Sequence, residues 1–136
     1  MGEHIAAIRA LLEGAGLVVY DTTTPDSPKP PYVLLWSPVD GLPLERSVIA
    51  TTDLDVMLGV TLVAATATGV RIMHDRAKAV LSPAGLPVTL TIPGRRATLH
   101  FDEARPITSD EDVTIPGTAT HPTVGVTLYR LISTPV

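Results

Sequence analysis

One ordered run of elements limits the folds open to this chain. Val56 to Thr66 mixes β-branched and small residues, the composition of a central strand. It leads directly into Thr68–Leu81, where Val70, Met73, His74, Ala77, Val80 and Leu81 fall on one helical face. Arg71, Asp75 and Lys78 share the opposite side at spacings that pair charges along a helix. Thr68 is placed to cap this helix, and Pro83 and Gly85 to end it. A hairpin follows over Val88–Phe101, with Pro93-Gly94-Arg95-Arg96 as a four-residue loop. The last strand runs from Thr123 to Ser133, with Val124, Val126 and Leu128 on one face and Tyr129 and Leu131 on the other.

Before this run, Ile5, Ile8, Leu11 and Leu12 mark a helix over residues 3–14, with Gly14 and Gly16 as stops. Strands are expected at Leu17–Asp21 and Tyr32–Ser37, with a short one at Val48–Thr51. Tyr32 to Trp36 is apolar on both faces, so it is either buried or packed against a partner. Gly59 inside its strand marks a bulge or a close approach. The reading is a single α+β domain over residues 1–136. It has a mixed or antiparallel sheet, an N-terminal helix, and a central amphipathic helix packed on the sheet. Thirteen prolines among 136 residues stiffen the connections, above all at 22–31 and 41–47.

Several chemistries find no support. There is no cysteine for a disulfide or a thiolate metal site. His4, His74, His100 and His121 lack metal-ligand spacing. His74 reads as a hydrogen-bonded core or interface residue. No nucleophile elbow, phosphate loop or dinucleotide fingerprint occurs, so no catalytic, metal or cofactor residue is assigned. No apolar stretch approaches the roughly 20 residues of a membrane span. The formal charge of −4 disfavours a dedicated nucleic-acid binder. Acidic residues outnumber basic ones eight to three in 1–65, while 66–136 is nearly balanced.

Residues 102–122 form a long irregular stretch, with a short strand expected at Val113–Ile115. Asp110, Glu111 and Asp112 lack calcium-loop spacing; they are a solvated loop or a subunit contact. Arg95 and Arg96, at the hairpin loop, either keep that loop soluble or reach a carboxylate on a neighbouring copy. Tyr32 and Trp36 are further candidates for contacts between subunits.

From Val56 onward the order resembles tail terminator proteins of long-tailed bacteriophages, especially phages of actinobacteria. The matching pieces are Val60–Thr66 entering the helix Gly69–Leu81, the Gly94-Arg95-Arg96 turn, Asp110-Glu111-Asp112-Val113, and the terminal Tyr129-Arg130-Leu131. The helix Glu3–Glu13 followed by a strand also fits. Thr22–Pro31 and Gly41–Ser47 are long for a minimal member of that family. The resemblance implies a hexameric ring in the tail–neck region of a virion, assembled in the host cytoplasm. Such a ring caps the head-proximal end of the tail tube, stops its polymerisation and joins the head connector or closure protein. DNA passes its lumen without specific binding, and no membrane is involved. Two other readings are a different neck protein (head–tail adaptor or head-closure protein) and a small host ligand-binding domain.

Overall fold

A computed structural model describes residues 2–37 and 53–136. The element order is α1 (Gly2–Gly14), β1 (Val19–Asp21), β2 (Tyr32–Trp36), β3 (Leu54–Ala64), α2 (Ala67–Leu81), β4 (Val88–Ile92), β5 (Arg95–Ala104), β6 (Thr108–Ser109) and β7 (Thr123–Pro135). A 3-10 turn at Pro83–Gly85 follows α2. The strand expected at Val48–Thr51 and the Gly41–Ser47 loop lie outside the described residues.

The strands form one sheet in the order β1-β2-β3-β7-β5-β4, with β6 beside β7. Only β1 and β2 are parallel among these pairs; the rest are antiparallel. The fold is therefore α+β with a mixed sheet, an N-terminal helix and a second helix packed on the sheet. β3 and β7 pair over their full shared length, Leu54↔Ser133 to Ala64↔Thr123, and form the centre. Because side chains alternate across a strand, this register sorts them into two faces. Val56, Leu58, Val60 and Leu62 share a buried face with Leu131, Tyr129, Thr127 and Gly125.

Both helices pack on that face. α2 buries Val70, Met73, Ala77 and Leu81. Gly125 lets it approach, since a Cβ there would lie 2.7 Å from Val70 Cγ1. α1 buries His4, Ile8 and Leu12, a stripe at i, i+4 and i+8 that runs through His4 rather than Ile5. α1 touches both β1 and β4, the two edge strands, so the sheet curls around the helices.

Four local expectations change. The cap of α2 is Thr66, not Thr68. Its extended backbone (φ −139°, ψ 161°) lets Oγ1 accept from Gly69 N at 3.0 Å. The β4–β5 loop has two residues, not four: proline presets φ at Pro93, Gly94 takes φ +73°, and Arg95 already pairs with Ile92. Val113–Ile115 is not a strand, because turns take its amides. Val113 N donates to Asp110 O at 3.3 Å and Ile115 N to Thr120 O at 2.8 Å. Lys78 does not pair with Asp75; its ammonium lies 4.6 Å from the centroid of the Phe101 ring.

The proline-rich stretch 22–31 has a geometric task. β1 and β2 are parallel, so the chain must travel back along β1 before β2 starts. The stretch runs mostly exposed outside the strands and re-enters the ladder where Val33 N donates to Val18 O at 2.7 Å.

Candidate interaction surfaces

The face of the sheet turned away from the helices is also apolar. Tyr20 and Tyr32 meet edge to face there, with centroids 5.7 Å apart. The registers Tyr32↔Val63↔Val124, Leu34↔Thr61↔Val126 and Trp36↔Gly59↔Leu128 carry that face across β2, β3 and β7. Val63 and Leu128 are buried, while Tyr32, Leu34, Trp36, Met57, Val124 and Val126 keep part of their surface exposed. Among the described residues, α1 and α2 both pack on the opposite face. Farther along, Arg130 grips Asp55 in a bidentate pair at 2.7 and 2.6 Å.

Trp36 lies flat against Gly59. A Cβ at that glycine would stand 2.1 Å from Trp36 Cε2, so the close approach is that of an indole. The indole Nε1 donates to Thr61 Oγ1 at 2.8 Å, which fixes the ring.

The two arginines have separate fates. Arg95 is not at a loop tip. It is half-buried in β5, and its guanidinium donates to Ser133 Oγ at 2.7 Å and Ser133 O at 3.1 Å. Arg96 is exposed and pairs in register with Thr91 and Thr134. Only Arg96 therefore faces solvent freely enough to meet a neighbour.

Asp110, Glu111 and Asp112 follow β6 in an ordered turn. Asp110 N donates to Pro122 O at 2.9 Å, and Asp112 N to Asp110 Oδ1 at 3.2 Å. Glu111 stands 3.3 Å from His121 Nε2, while His121 Nδ1 donates to Val113 O at 2.6 Å. The charge of Asp110 reaches Tyr32; desolvation raises that phenol's pKa first, and Asp110 adds to it. The turn and Tyr32 thus lie toward the Thr123 end of β7, and Arg95–Arg96 toward its Pro135 end.

Two features escaped the sequence reading. One is a buried polar knot in which His4 Nε2 lies 2.8 Å from Ser133 Oγ, which also accepts from Arg95. Burial lowers the His4 pKa below 6.5, with the N-terminal ammonium and then Arg95 adding to the effect and Glu3 opposing it. The other is a cleft of about 260 Å³ between α2 and the β5–β6 connection. His74 lines it and meets Phe101 edge to face at 6.3 Å. Neither feature has a sequence signal, since each joins residues from distant segments.

Among the described residues, no group of three or more His, Asp or Glu side chains is placed to hold a metal. No helix among them is long and apolar enough to cross a membrane. Comparison of the chain with protein-family models and with curated proteins finds no match.

Proposed function

We propose that this chain is a structural virion protein, a tail terminator whose copies form a ring at the head-proximal end of a phage tail tube. The observation that carries the reading is the apolar sheet face built by Tyr32, Leu34, Trp36, Met57, Val124 and Val126. Partly exposed apolar side chains gathered on one continuous face are the usual mark of a contact surface. Burying such area against a second copy stabilises at roughly 25 cal/mol per Å² before the costs of association.

In this reading, one surface of the ring matches the end of the tube and the other does not accept a further tube ring. Growth then stops by geometry, because a heterologous interface extends only while both faces are offered. The exposed Thr22–Pro31 crossover supports the second half of the argument, since proline offers no backbone donor for strand addition. A net acidic ring would also not grip DNA passing through its lumen. A different neck protein is the competing reading. The strand-rich fold supports a terminator over an adaptor, which would be mostly helical.

The test is imaging. Negative-stain images of the concentrated protein, and cryo-EM of the tail neck, are expected to show rings of this chain. Monomers alone in both would end the proposal.

A further inference from the structure

The cleft between α2 and the β5–β6 connection carries an unused recognition pattern. Leu62, Val70 and Ile107 give it an apolar lining. Arg71 and Arg105 stand on its rim with Asp75, so cations outnumber anions there. Among the described residues, neither arginine has an ion-pair partner.

The complementary pattern lies elsewhere on the same chain. Asp110, Glu111 and Asp112 precede Val113, whose side chain is 46% exposed. The turn is held ready by Asp112 N on Asp110 Oδ1 and by His121 on Val113 O. One projecting apolar side chain flanked by carboxylates matches an apolar hollow rimmed by guanidinium groups, which favour carboxylates as bidentate partners. A cleft of about 260 Å³ has room for a valine side chain. None of residues 110–122 lines the cleft of their own chain.

We infer that Asp110–Val113 of one copy seats in the α2/β5–β6 cleft of the next copy. The inference rests on the proposed self-assembly and names one of its contacts. Because the two patches differ, the contact is head-to-tail and closes only as a ring. Charge complementarity sets the register, and Val113 supplies the apolar anchor.

The chain has no cysteine, so single cysteines report this contact cleanly. Val113→Cys is mixed with Ala104→Cys, at the cleft, under mild oxidation at high protein concentration; Val113→Cys mixed with Ala79→Cys is the control. All three positions are exposed, so folding is preserved. A mixed disulfide with Ala104→Cys and not with Ala79→Cys is expected. Arg71→Glu with Arg105→Glu is expected to weaken association by on the order of 10- to 100-fold, and Asp110→Lys with Asp112→Lys to restore it in the mixture. If wild-type oligomers sediment normally but the cross-link equals the control and charge reversal has no effect, this contact is wrong and the ring reading survives. A chain that stays monomeric at that concentration without cross-linking also overturns the contact. The ring reading is then decided separately by imaging the tail neck.

Discussion

Ser133 Oγ lies 2.8 Å from His4 Nε2 although 129 residues separate the two. The hydroxyl oxygen accepts from Arg95 Nε, which leaves its proton for the lone pair of a neutral imidazole. This contact ties α1 to the end of β7 and to β5.

His4 makes the fold acid-sensitive. Its folded pKa lies below the 6.5 of the unfolded chain, chiefly through burial. As pH falls below 6.5 the unfolded chain takes up a proton that the folded chain refuses, so stability is full above 6.5 and declines toward the folded pKa. Urea unfolding midpoints at neutral and mildly acidic pH should show this decline, and His4→Gln should flatten it. Ser133→Ala should cost about 1–3 kcal/mol by stranding buried polar partners.

Gly59→Ala should expel the indole. The added Cβ has no room beside Trp36 and the Nε1 bond to Thr61 is lost. A destabilisation of about 1–3 kcal/mol is expected. Trp36 is the sole tryptophan, so a red-shifted emission reports the movement directly. Unchanged emission would contradict the packing described.

Tyr129 should titrate late. Burial pushes its phenol up to about 12 from an ordinary 10. The folded chain keeps a proton that the unfolded chain releases, so this contribution is whole below pH 10 and lost as pH rises toward 12. Phenolate absorbance of wild type and Tyr129→Phe should differ by one late-titrating group.

Replacing Asp110, Glu111 and Asp112 together by Ser should leave the fold intact, since only Asp110 Oδ1 and the Glu111–His121 pair lose contacts. Assembly into rings should weaken. Circular dichroism checks the first outcome and sedimentation the second; normal assembly would return the cluster to solvated loop.

Pro25, Pro28 and Pro30 test the termination argument. Substituting all three by Ser preserves the length that parallel β1 and β2 require. Tails assembled with this variant are expected to overgrow or to fail at joining heads, while the sheet still forms. Normal tails of normal length would remove the crossover from the mechanism.

The alternation in β3 and β7 and the helical period of α2 were legible in the chain, because one buried face imposes a period on the residues that make it. Val124, Val126 and Leu128 separated from Tyr129 and Leu131 for that reason, and Gly59 already announced a close approach. Arg95 belongs to β5 and not to the loop, because its backbone pairs with Ile92 and its guanidinium is held by Ser133, a residue 38 positions away. Likewise the identity of the cap, Thr66 over Thr68, depended on where β3 stopped pairing with β7 at Ala64↔Thr123. Local periodicity is written into neighbouring residues, so sequence alone determined the long elements and the α+β class, but not the short strand β6 or the turns of residues 110–122. The His4–Ser133–Arg95 knot, the indole on Gly59 and the cleft beside α2 each join distant segments. Only the curling of the sheet around two helices brought their partners within bonding distance.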